Sequence, residues 1–290
     1  QEAQYMRAVL NLFKLRIGIV ITWTALAAVA VTPGPALTAW QITVLALCVL
    51  IASASAGAFN QFVERDIDAR MQRTRNRPFV TGALAHAQRW VWVIMALVAT
   101  SVLAAAYTLN PLSALYVFLG AFFYAVVYTV WLKRRTWLNI VIGGFSGSFA
   151  VLAGAAAVTP AELPPEPLIL AIVLFLWTPS HFWSLAMAYR EDYVAAGVPM
   201  LPAVIGNVRT AKVIFGNTVA LVVVSLLPVF YGAGWIYLGG AAIGGGWFLW
   251  KSYLLMHNPY RREAMRSFFA SLAQLALLLS AAMIETAVLR

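Results

Sequence analysis

The sequence is poor in cysteine and poor in charge. Its one cysteine, Cys48, lies inside an apolar stretch, which excludes a disulfide framework and a cysteine-built metal site and leaves the redox compartment unread. Charged residues make up 10% of the 290 and hydrophobic ones 62%, whereas about a quarter of a soluble domain is charged. Composition alone therefore argues for a membrane protein. There are 10 acidic residues against 20 basic ones, a formal net charge of +10, yet no basic or aromatic nucleic-acid motif appears and no nucleic-acid partner is expected. The first residue is Gln rather than Met, so a preceding segment, with any targeting signal in it, is left open.

What fills the chain instead is a succession of apolar runs. They fall at about 9–31, 37–59, 90–109, 111–132, 137–158, 166–188, 212–232, 234–256 and 265–288, each close to the roughly 20 residues that a spanning helix needs. We read them as nine helices of one all-α, polytopic domain over residues 1–290. Pro33-Gly34-Pro35, Asn110-Pro111, the Pro160 to Pro167 segment, and Gly232 with Gly234 mark the tight turns.

Charge tests this parse independently, because Lys and Arg gather in loops on the cytoplasmic side. Arg7, Lys14 and Arg16 come early, and Arg65 to Arg89 follow the second helix. Lys133 to Arg135 follow the fourth helix, Arg190 to Lys212 the sixth, and Lys251 to Arg266 the eighth. That leaves Arg290 alone on the opposite side and predicts a cytoplasmic amino terminus. Two connections on the basic side, about 60–89 and 189–211, far exceed the 2–8 residues of a minimal helix hairpin. Four helices separate them, so they emerge on the same face. Two four-helix units plus a ninth helix would set them opposite each other around one shared site.

The first of these segments carries Asn60, Glu64 and Asp68, spaced i, i+4, i+8. At 3.6 residues per turn they form one stripe of oxygen-bearing side chains at the membrane edge. Such hard ligands suit Mg²⁺, which takes one or two carboxylates and completes its shell with phosphate and water. Pairing of the acids with neighbouring arginines on a solvated helix end is the bland alternative. Asn60, polar where an apolar helix enters the membrane, favours the metal site. Arg73, Arg77 and Lys133 are the candidate diphosphate ligands, because such cations match phosphate oxygens.

The second segment runs His181-Phe-Trp-Ser-Leu-Ala-Met-Ala-Tyr189-Arg190-Glu191-Asp192-Tyr193. Glu191 and Asp192 would complete the metal-diphosphate cradle, with Asp192 as a further metal ligand; two solvated acids at a helix end are the alternative. His181 lies two turns earlier, about 12 Å into the membrane. It either contacts the acceptor or is hydrogen-bonded across helices.

Together these residues resemble the UbiA superfamily of intramembrane prenyltransferases. The likeness is densest over Asn60 to Gly82, with its ERDID…M.RT..RP pattern, over Tyr128 to Gly144, and over His181 to Pro202, with HFW…REDY…AGVPMLP. The resemblance implies a nine-helix bundle around a central cavity, with Mg²⁺ and a prenyl diphosphate at the cytoplasmic rim. It implies Asn60, Glu64 and Asp68 at the metal-diphosphate, Arg73, Arg77, Tyr128, Lys133 and Arg190 near the phosphates, and His181 and Tyr193 at the acceptor. Gln61 stands where many members carry a carboxylate, and Tyr189 and Tyr193 stand where many carry aspartates. Gly147-Ser-Phe-Ala150 replaces an Ala-Pro-Pro stretch. The departures at Gln61, Tyr189 and Tyr193 point to the haem branch, from which the Gly147 stretch itself departs: farnesyl diphosphate as donor, haem B as acceptor rather than cofactor, and haem A synthase or oxidase assembly factors as candidate partners within the lipid bilayer of the inner cell membrane. The residues by themselves leave open an aromatic quinone precursor as acceptor, a membrane transporter, and a haem carrier.

Overall fold

The structure, a computed structural model, describes residues 2–289, and those residues contain no strand. Arg290, the one basic residue assigned to the far side, lies outside them. Fifteen α-helices follow in order: α1 (Glu2–Leu12), α2 (Leu15–Val31), α3 (Ala39–Val63), α4 (Arg65–Arg70), α5 (Pro78–Thr81), α6 (Arg89–Thr108), α7 (Pro111–Phe122), α8 (Asn139–Gly143), α9 (Phe145–Val158), α10 (Pro165–Ala188), α11 (Arg190–Ala195), α12 (Leu201–Ile205), α13 (Asn207–Leu226), α14 (Trp235–His257) and α15 (Arg261–Leu289). A π-helical stretch, Phe123–Leu132, prolongs α7.

The starts of these helices follow from the local sequence. Thr38 and Gln41 form a reciprocal capping box on α3. Asn110 caps α7 through its side chain, and Pro111 takes the first helical position, where a missing N–H costs nothing.

The long helices neighbour one another around a closed ring, α2 on α3, α3 on α6, and onward to α15, which returns to α2. The most extensive contacts across the ring are α2 on α9 and α10 on α15. At the first, a Cβ on Gly154 would collide with the Ala25 carbonyl, so only glycine lets the two backbones approach this closely. One apolar cluster fills the half built from α2, α3, α7 and α9, and another fills the half built from α10, α13, α14 and α15.

The protein is a multi-pass membrane protein, and the count of nine spans is not confirmed. Seven helices among the described residues are long and apolar enough to cross a membrane, or eight if α1 and α2, bent by 43°, form one span. Helix α14 has the length, at 23 residues, but its glycines and tryptophans dilute its hydropathy. The bend between α1 and α2 falls at Lys14, the one described non-glycine residue with positive φ (46°). Gln61 holds that bend in place by donating to the carbonyls of Asn11 and Leu12, at 3.0 and 3.1 Å, which fits its standing where a carboxylate would have no hydrogen to give.

Candidate active site

The end of the bundle where α3, the π-helical stretch and α10 terminate gathers most of the residues singled out in the sequence. Helix α3 passes into α4 with only a slight break at Glu64. The Glu64 amide still donates to Asn60 O and the Asp68 amide to Glu64 O, so the i, i+4, i+8 stripe holds. All three side chains are buried.

Each member of the stripe is met by its own cation. Lys14 Nζ donates to Asn60 Oδ1 at 2.8 Å. Lys133 Nζ donates to Glu64 Oε2 at 2.6 Å. Arg77 grips both oxygens of Asp68, at 2.8 and 2.6 Å, and stands 3.9 Å from Glu64. Charges this deeply buried persist only when paired and hydrogen-bonded, and the pairing is one to one. One atom is left out: Glu64 Oε1 is buried without a hydrogen-bond partner. An orphaned carboxylate oxygen, beside a second carboxylate and a carboxamide, fits a Mg²⁺ site completed by phosphate and water. The protein alone does not assemble a full shell, since no group of three or more His, Cys, Asp or Glu among the described residues could hold a metal.

The π-helical winding delivers the far wall of this site. In an α-helix, at 100° per residue, Lys133 would lie about 180° from Tyr124. With i to i+5 bonding each residue advances roughly 80°, which returns both to one face. Lys133 N–H accordingly donates to Tyr128 O, and Thr129 Oγ1 donates to Tyr124 O while accepting from Asn60 Nδ2 at 3.1 Å. Tyr128 stacks on Tyr124 with ring centroids 5.8 Å apart, and the Lys133 ammonium lies 5.6 Å from the Tyr128 centroid. Gly143 provides the room: a Cβ there would press on the Tyr128 ring at 3.0 Å.

The second segment meets the first through Arg73. Its backbone amide donates to Asp192 Oδ2 at 3.1 Å and its guanidinium to the Tyr193 hydroxyl at 3.2 Å, while the Tyr189 ring lies 5.7 Å from the guanidinium carbon. Three predicted residues stand apart. Arg190 donates through Nε to Pro202 O and so holds the loop. Glu191 is exposed. His181 sits two turns deeper, stacked between Trp177 and Phe268 at 4.1 and 4.5 Å, with Nδ1 2.7 Å from Ser271 Oγ. Ser271 Oγ donates to Phe268 O, so Nδ1 carries the histidine proton and Nε2 keeps a lone pair.

Sequence reasoning missed Lys14, Tyr124 and Thr129. Lys14 reads as a topology charge, and its tell is Gly57, three residues before Asn60, where the lysine stem lies within 3.4 Å of the position a Cβ would take. Its ammonium also reaches the Tyr124 hydroxyl at 3.3 Å. Tyr124 lines a small apolar cavity of about 30 Å³ between α2, α3, α7 and α9. Outside the ring, Arg134 pairs with Asp66 at 2.7 Å, and that bond holds the Asp66 carboxyl below its ordinary range.

A buried cluster of paired charges beside a small apolar cavity in a helical membrane bundle is an arrangement suited to an amphiphile with an anionic head. The chain belongs to the UbiA prenyltransferase family, whose model matches residues 21–277. A curated relative from Paramagnetospirillum magneticum, "Protoheme IX farnesyltransferase 2", is 56% identical over 280 residues, covering 97% of each chain. Among solved structures, a digeranylgeranylglyceryl phosphate synthase shares the fold with a TM-score of 0.77 at 17% identity, covering 97% of this chain and 98% of the other. A UbiA homologue from Archaeoglobus fulgidus, bound to DMAPP and Mg²⁺, has a TM-score of 0.69 at 15% identity, covering 93% and 98%.

Proposed function

We propose that the protein transfers a farnesyl group from farnesyl diphosphate to a vinyl group of haem B, with addition of water, releasing haem O and diphosphate. The observation that carries the reading is the one-to-one pairing of Asn60, Glu64 and Asp68 with Lys14, Lys133 and Arg77 beside a small apolar cavity. Lys14, Lys133 and Arg77 are placed to take phosphate oxygens of a bound diphosphate, and Asn60, Glu64 and Asp68, with Asp192 from the second segment, would hold Mg²⁺. Bound there, the metal supplies neutralisation of charge on the leaving diphosphate.

Lys14, Lys133, Arg73 and Arg77 aim positive charge at that leaving group, the preorganised electrostatic stabilisation that dominates such chemistry. The bond between C1 and oxygen breaks and its electron pair leaves with the diphosphate. The allylic cation lies against the faces of Tyr124 and Tyr128, screened from water by the apolar cavity. A haem vinyl carbon then bonds to C1. Water captures the resulting cation beside the macrocycle, and one proton is released. His181, with Nε2 available, and Tyr193 are the acceptor contacts in this reading.

The enzyme works as one domain in the inner cell membrane, its amino terminus on the cytoplasmic side, a topology supported by the one-sided distribution of Lys and Arg. Haem A synthase or oxidase assembly factors would receive the product. The test is purified protein with Mg²⁺, farnesyl diphosphate and haem B. A haem heavier by one hydroxyfarnesyl unit, dependent on Mg²⁺, is the expected product. Turnover of 4-hydroxybenzoate in its place would overturn the acceptor.

A further inference from the structure

We infer that Tyr116 sets the length of the prenyl chain the enzyme accepts; this rests on the proposed reaction. The cavity beneath Tyr124 is walled by the small residues Ala52 and Ala56 of α3, Gly120 of α7 and Ala150 of α9. Its deep end is different. There Val49 and Tyr116 come together, and Tyr116 is the only lining residue with a large ring apart from Tyr124 at the mouth.

Helical rise gives the scale. Tyr116 precedes Tyr124 by two turns, about 12 Å, and Val49 lies about 17 Å below Asn60, at 1.5 Å per residue. That length matches three isoprene units laid out from a diphosphate held at the Asn60 stripe, for which the small side chains along the path would have to part, and a fourth unit would run into the Tyr116 ring.

The ring cannot easily step aside. It stacks on Phe149, with centroids 6.1 Å apart and planes at 24°, and Phe149 is itself braced edge-on by Phe123 at 5.0 Å. All three rings are partly buried, and their mutual stacking limits where the Tyr116 ring can go. Shortening Tyr116 to alanine therefore opens room below the third isoprene unit without touching any residue at the diphosphate.

The experiment is a competition between farnesyl and geranylgeranyl diphosphate for haem B, with full-length protein in detergent or nanodiscs and the two products resolved by mass. Tyr116→Ala is expected to raise the geranylgeranyl-to-farnesyl product ratio by about tenfold or more, since one hydrophobic unit discriminates on that scale. Tyr116→Phe should leave the ratio at the wild-type value, because bulk and not the hydroxyl blocks the path. Phe118→Ala, on the exposed face of the same helix, should also leave it unchanged. A wild-type ratio in a Tyr116→Ala protein that still farnesylates haem overturns the inference. If that variant fails to fold, Tyr116→Leu takes its place with the same expectation in direction. If the wild-type protein makes no farnesylated haem, the proposed reaction has failed instead. Calorimetric binding of the thiolo analogues of the two diphosphates then decides the role of Tyr116: an unaltered affinity ratio in Tyr116→Ala sinks it.

Discussion

The two long connections occupy matching places in the two halves of the bundle, yet they hold their charges in opposite ways. In the first, Glu64 and Asp68 are buried and locked to Lys133 and Arg77 at 2.6 Å. In the second, Glu191 is exposed and Arg190 is spent on a backbone carbonyl; only Asp192 and Tyr193 reach across, and they do so to hold Arg73. In the proposed reaction this contrast is a division of labour: the first segment would carry the charge that substrate displaces, and the second would hold Arg73 in place.

The sharpest way to break that contrast is to attack the Glu64 and Lys133 pair. Lys133→Met should lower stability by about 3–5 kcal/mol, because it strands a buried carboxylate, and lower turnover by about 10²–10³-fold. Adding Glu64→Gln should restore much of the thermal stability in detergent but none of the activity. Recovered activity in the double variant would make the pair purely structural.

Lys14→Met should come next, with a turnover loss of about tenfold to a hundredfold and a stability cost of about 1–3 kcal/mol from the unmet Asn60 acceptor. Steady-state rates and thermal unfolding check both.

On the second segment, Tyr193→Phe removes one hydrogen bond to Arg73, worth about 1 kcal/mol. KM for the prenyl diphosphate is expected to rise roughly fivefold with kcat little changed; a loss in kcat as large as that of Lys133→Met would erase the proposed division.

The smallest effect belongs to Asp66, whose pair with Arg134 is about half exposed and of little energetic weight. Asp66→Asn should change turnover by less than about twofold. The Arg134 bond lowers the folded carboxyl below its unfolded value. Its small stabilisation is therefore present above the ordinary carboxylate pKa of about 3.9 and fades as pH falls through the lowered folded value. Unfolding midpoints measured with and without the substitution should converge at the acid end.

Apolar runs and the one-sided basic residues made the helical bundle legible, and i+4 spacing made the Asn60, Glu64, Asp68 stripe legible, because both are periodicities of a regular α-helix. Four intervening helices predicted the two long connections on one face, and Arg73 meets Asp192 there. What stayed hidden depended on departures from that regularity. The positive φ at Lys14 bends the first span and turns a topology charge inward. The π-helical stretch regroups Tyr124, Thr129 and Lys133, which α-helical periodicity scatters. The glycines of α14 likewise serve helix contacts rather than hydropathy, as where a Cβ on Gly244 would stand 3.0 Å from the Gln274 backbone.

The π-helical stretch also means that the wall carrying Lys133 holds about one residue more than an α-helix of the same height needs. It behaves as a stored insertion. Deleting a single lipid-facing residue between Tyr124 and Lys133, such as the exposed Val130, would relax the winding to the α form while leaving the helix ends nearly where they are. Lys133 would still reach the rim but would rotate away from Glu64, so the register of this one helix, rather than any side chain in it, decides whether the site is assembled.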